Sequence, residues 1–79
     1  ERRRRAEACF RDAVDIARVQ SARMFELRAA NCLARLLCDD GRGGEARALL
    51  VPLYARFTEG FDTPILRETA ALLAEIDRT

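Results

Sequence analysis

Between Leu33 and Tyr54 the chain sets small and large apolar residues on both sides of a glycine turn, and that pattern leaves few folds open. Leu33, Ala34 and Leu37 recur at helical spacing, Gly41-Arg42 follows, and Glu45, Ala46, Leu49, Leu50 and Tyr54 resume the spacing. Such a pattern describes two helices folded back on one another. Alanine sits where the backbones approach closest, and glycine sits where the chain reverses. A partial copy stands upstream, where Ala6, Phe10 and Ala13 repeat the spacing of the returning helix.

Periodicity extends this hairpin to four helices, at about 4–19, 22–38, 44–58 and 64–77, with no strand signal. In the first, Ala6, Phe10, Ala13, Val14 and Ala17 form the apolar stripe and Cys9 and Ile16 widen it. Ser21 is placed to cap the second helix through a backbone N–H. There Ala29, Ala30, Leu33, Leu36 and Leu37 make the stripe, with Arg28, Asn31 and Arg35 opposite. Gly41 closes that helix in a left-handed conformation, and Asp39 and Asp40 are assigned to the loop or to the cap of the next helix. In the third helix Ala46, Leu49, Leu50, Leu53, Tyr54 and Phe57 share one face, and Pro52 predicts a bend near Ala48–Pro52. Gly60 then stops the helix, Phe61 is expected as a plug between helices, and Asp62 or Thr63 caps a helix that opens on Pro64. Ile65, Leu66, Thr69, Leu72, Leu73 and Ile76 give the last helix its apolar face. The residues expected to hold the packing are Ala6, Phe10, Ala13, Leu33, Leu37, Gly41, Ala46, Leu50, Tyr54, Phe57 and Phe61.

Several function classes are set aside by composition. With 79 residues the chain is one domain at most, and its apolar fraction of 49% suits a helical core. A net charge of +1 supplies no field that would recruit nucleic acid or an acidic membrane surface. All 14 basic residues are arginine, which favours forked pairing with carboxylates. Cys9, Cys32 and Cys38 form no Cys-x-x-Cys pair and no histidine accompanies them, so no metal site is expected. They read as reduced, buried thiols of a cytoplasmic protein. No apolar run reaches the roughly eighteen residues of a membrane span. The chain opens at Glu1 without a methionine, and it is expected to be a piece of something longer.

Each feature that suggests chemistry has a plainer reading. The run Arg2-Arg3-Arg4-Arg5 lacks interleaved aromatics and is flanked by Glu1 and Glu7, which makes it a solvated first turn; no basic recognition helix follows, so nucleic acid is not an expected partner. Glu26 lies near the centre of an apolar stripe with no histidine, lysine or nucleophile beside it. An inter-helix ion pair with an arginine is its expected state. Asp39-Asp40 lacks the alternating oxygen ligands of a calcium loop. Gly41-x-Gly43-Gly44 follows a helix instead of a strand, and so reads as a turn rather than a phosphate cradle. No catalytic residue and no cofactor are expected.

Ala6 and Ala46 are 40 residues apart, somewhat longer than the tetratricopeptide period of about 34. The fold expected is therefore all-α, with tetratricopeptide-like antiparallel hairpins stacked as an α-α superhelix. Four segments carry a closer resemblance: Ala6-Glu7-Ala8-Cys9-Phe10, Glu26-Leu27-Arg28-Ala29-Ala30, Gly41-Arg42 with Glu45 through Leu50, and Phe57-Thr58-Glu59-Gly60-Phe61-Asp62-Thr63. Together they resemble the C-terminal repeat tail of large bacterial signalling ATPases, a family that includes predicted ATPases, adenylate-cyclase-like proteins and transcriptional regulators. The chain departs from the family at Leu37 and Ala55, where an aromatic is common. The resemblance implies a non-catalytic interaction module whose partners are the preceding repeats and ATPase domain of a parent chain, or another protein. It transfers no catalysis, because the P-loop pattern and its lysine are absent. A self-associating module, forming a homodimer through an uncovered apolar face, is the alternative.

Overall fold

The computed structural model describes residues 2–57 and 63–78, with Arg3 as backbone only. Among these are four helices and no strand: α1 (Arg2–Val19), α2 (Arg23–Asp39), α3 (Gly43–Tyr54) and α4 (Pro64–Arg78). The chain is all-α. α2 is the central element and packs against the other three; α3 and α4 also pack on each other, and α1 packs on α2 alone. At 18 Å in its thinnest direction the molecule is about two helices deep.

Both tight reversals use one device. Ser21 and Gly41 take left-handed φ values of 57° and 75°. The Ser21 N–H donates to the Arg18 carbonyl at 3.1 Å and the Ala22 N–H to Ala17 at 2.8 Å; the Gly41 N–H donates to Cys38 at 3.1 Å and the Arg42 N–H to Leu37 at 2.7 Å. Each turn is thus a Schellman closure, in which the orphan carbonyls of a helix end are met by the next two amides. Ser21 therefore ends α1 and does not cap α2. The N-cap of α2 is Ala22, without a side-chain bond. Asp39 is likewise the last residue of α2 and Asp40 its C-cap, while Arg42 takes the N-cap of α3, so neither aspartate caps the third helix.

α3 holds Pro52 in its last turn and ends at Tyr54, short of the expected limit at 58. Pro52 has no N–H to give Ala48, and beyond the helix the chain tightens into i→i−3 bonds, from the Arg56 N–H to the Leu53 carbonyl and from the Phe57 N–H to the Tyr54 carbonyl, both at 3.2 Å. Phe57 consequently packs from outside the helix. At the head of α4 the Thr63 carbonyl accepts from the Arg67 N–H at 3.0 Å, with Pro64 in the first helical position, where its missing N–H costs nothing. Gly60, Phe61 and Asp62 lie outside the described residues.

Leu27, Leu33, Leu37, Leu50 and Leu66 are fully buried, and so are Ala30, Ala34 and Ala46 among them. The first helix departs from its expected stripe. Val14 and Ala17 are buried and Phe10 packs partly on the core, but Cys9, Ala13 and Ile16 are exposed. The cause is topological: α1 has one neighbour, and the far flank of its apolar arc meets none. Cysteine burial is corrected too: Cys9 is exposed on that flank, and Cys32 and Cys38 are only half-buried on α2; all three thiols are free.

Candidate functional site

α2 and α4 run beside each other and leave a groove of about 750 Å³ between them. Its walls follow from the two apolar stripes. Leu72 and Cys38 lie at the edge of the buried faces, and the next positions round each helix, Arg35 and Asp39 on α2 and Arg67, Glu68 and Glu75 on α4, present charge to the opening. Arg35 reaches across to Glu68 with Nη2–Oε2 at 2.6 Å. Arg67 is exposed and has no ion-pair partner among the described residues. The groove offers two guanidinium groups, three carboxylates and an apolar floor, a surface suited to a polypeptide more than to a small apolar ligand.

The thiol on this floor is not activated. Burial pushes the Cys38 pKa up, and the carboxylates of Asp39 and Glu75 push it further. The thiolate, which is the reactive form, is therefore disfavoured. Among the described residues no group of three His, Cys, Asp or Glu side chains is placed to hold a metal ion.

Three polar clusters tie the helices into a fixed arrangement. Glu26, only 2% exposed, lies between two arginines, with Arg18 Nε at 3.2 Å and Arg56 Nη1 at 3.5 Å. The buried carboxylate is paired, as its position in the apolar stripe predicted. In the second cluster Thr69 and Asn31 meet in the seam between α4 and α2. The Thr69 hydroxyl is 2.8 Å from Asn31 Oδ1 and 3.0 Å from the Ile65 carbonyl, and Asn31 Nδ2 donates to that carbonyl at 3.4 Å. The spacing puts Asn31 opposite the apolar stripe, yet it is buried, because α2 is covered on a second side by α4.

The third cluster centres on Arg42, beside the α2–α3 turn. Its guanidinium bonds Glu7 of α1 through Nη1 at 2.8 Å and Nη2 at 3.2 Å, and Glu45 of α3 through Nε at 2.6 Å and Nη2 at 2.8 Å. Hydrogen bonds from Arg42, and then from Arg11, hold the Glu7 carboxyl below the ordinary carboxylate range. The bond from Arg42 does the same for Glu45. The Arg42 guanidinium is stabilised upward in turn, by Glu45 first and Glu7 second. The Arg42–Glu45 pair is visible in sequence as an i, i+3 spacing, but Glu7 lies too far along the chain for any local signal.

Of the expected packing residues, Leu33, Leu37, Ala46 and Leu50 come together in one buried cluster, with Phe10, Tyr54 and Phe57 partly buried against it. Gly41 is at the turn and Ala6 is half-buried. Ala13 is exposed, on the flank of α1 that no helix covers, and Phe61 lies outside the described residues. The charged lining of the groove was not legible beforehand, because solvated and groove-facing arginines look alike in sequence. The chain matches no protein-family model, no curated protein and no solved structure.

Proposed function

We propose that this chain is a non-catalytic protein-interaction module of tetratricopeptide-like hairpins, acting as the C-terminal repeat tail of a bacterial ATPase-type signalling or transcriptional regulator in the cytoplasm. The observation that carries the reading is the groove between α2 and α4. In a stacked array, alternate helices lie side by side and form a continuous inner surface, and α2 and α4 stand in that relation, with α3 behind them. Arg35, Arg67, Glu68 and Glu75 give that surface charge of both signs, which confers selectivity among partners more than affinity. Free thiols and the absence, among the described residues, of any helix long and apolar enough to cross a membrane are compatible with the cytoplasmic placement.

The test is the coding DNA upstream of Glu1. A continuous reading frame that carries a Gly-x-x-x-x-Gly-Lys-Ser/Thr segment supports the regulator-tail reading. An in-frame stop followed by a start codon immediately before Glu1 refutes it.

A further inference from the structure

One flank of the α1/α2 hairpin is apolar and uncovered. Cys9, Ala13 and Ile16 are spaced i, i+4, i+7 along α1, and Phe25, Cys32 and Leu36 are spaced i, i+7, i+11 along α2, so each set forms one stripe. Ile16 is 58% exposed and Phe25 67% exposed. The opposite flank of α1 carries Glu7 and Arg18, which reach Arg42 and Glu26; the opposite flank of α2 carries Asn31 and Arg35, which reach α4. Both stripes therefore face away from α3 and α4.

We propose that this flank docks a second copy of the chain, related by a two-fold axis parallel to the helices. The inference deepens the interaction-module reading and rests on it. The rim charges identify the occupant. Asp12 borders the stripe on α1 and Arg28 borders it on α2, and both are exposed with no ion-pair partner among the described residues. Asp12 lies nine residues before Ser21 and Arg28 seven after it. At a rise of about 1.5 Å per residue, the two stand within about 3 Å of the same height.

The proposed axis leaves heights unchanged and exchanges α1 with α2. It brings Asp12 of one copy opposite Arg28 of the other, twice across the interface. A hairpin with opposite charges at matched heights on its two rims is complementary to itself. With three residues on each helix, two of them half-buried, the flank is at the small end of specific interfaces, so the expected dimer is weak.

Sedimentation velocity of the full chain from about 5 to 500 µM, a range suited to a weak dimer, in reductant so that Cys9 and Cys32 cannot cross-link, tests this. A monomer–dimer equilibrium is expected. Phe25→Ser should weaken it about tenfold or more. The thermal melt at low concentration should not change, because Phe25 supports no core contact. Asp12→Arg should also weaken it about tenfold, by setting like charges together, and Asp12→Arg with Arg28→Asp should restore it. A monomer at every concentration overturns the proposal, leaving the flank to some other helix and the α2/α4 groove untouched. So does a dimer indifferent to Phe25→Ser, or a double swap no tighter than the single one. None of these outcomes bears on the upstream reading frame, so the two readings fail separately.

Discussion

The two left-handed turn residues make a prediction in which like substitutions have opposite signs. Gly41 holds φ 75°, and a Cβ added there would meet nothing within 4 Å, so the cost of Gly41→Ala is purely conformational. A left-handed L-residue costs about 1–2 kcal/mol. The stiffer unfolded chain returns about 0.4–1 kcal/mol of that. A net loss of about 0.5–1 kcal/mol is expected, or roughly 2–8 °C in melting temperature for a domain of this size. Ser21 holds φ 57° in the same closure and already carries this strain, so Ser21→Gly should raise stability by a similar amount. Gly44, the second residue of α3, is exposed and has no neighbour within 4 Å of an added Cβ; Gly44→Ala should stabilise by about 0.5–1 kcal/mol through helix propensity. Thermal and urea melts of the three single variants decide the matter. If Ser21→Gly lowers the midpoint, or Gly41→Ala and Gly44→Ala shift it in the same direction, the two turns are not the Schellman closures described above.

Leu50 is fully buried, and Leu50→Ala should cost about 2–5 kcal/mol, a large part of the roughly 4–12 kcal/mol expected for this length; a urea midpoint within error of the parent would contradict the core assignment. Thr69→Val removes the hydroxyl beside Asn31 Oδ1 and should cost about 1–3 kcal/mol, while a double-mutant cycle with Asn31→Leu should lose less than the sum of the single changes; strict additivity would mean the pair does not interact. Glu7 and Glu45 have folded pKa values below their ordinary one, so between the two values the unfolded chain binds more protons. Their contribution is complete above the ordinary carboxylate pKa and is lost as pH falls through the lowered folded values. Melts from pH 7 to pH 3 should show this acid-side loss, and Arg42→Gln should reduce it; an unchanged profile in that variant would place the shifts elsewhere.

What could be read from the sequence divides according to the range of the interaction. Helix count and most boundaries follow from spacing alone, because a stripe at 3.6-residue periodicity is local information. Gly41 is legible for the same reason: glycine advertises a left-handed position. Ser21 is not, since a serine before a helix is chemically suited to be an N-cap and only the closing bonds to Ala17 and Arg18 show that it ends the preceding one. The early end of α3 is a matter of degree, since Pro52 was recognised as a perturbation, yet whether a helix bends past a proline or stops depends on what packs on the next turn. Of the α2/α4 groove, sequence supplies the apolar floor but not the charged rim, because the rim depends on which two helices are adjacent.

The width of an apolar arc, compared with the number of neighbours a helix has, explains the remaining discrepancies on α1 and α2. α2 meets three neighbours, and where its buried face runs out of apolar residues polar ones are buried, while Phe25 is left exposed on the side that no helix covers. Glu26 is met by Arg18 and Arg56, and Asn31 is met by Thr69. Each of these buried groups has a partner, and losing the partner would strand it in the interior. α1 shows the reverse, an apolar arc wider than its single neighbour can cover, with Cys9, Ala13, Ile16 and Val19 left in solvent. In an array that continues past α1, by another helix or by another copy of the chain, α1 would gain the neighbours that α2 already has. The charges at matched heights on the two rims of that flank favour the second copy.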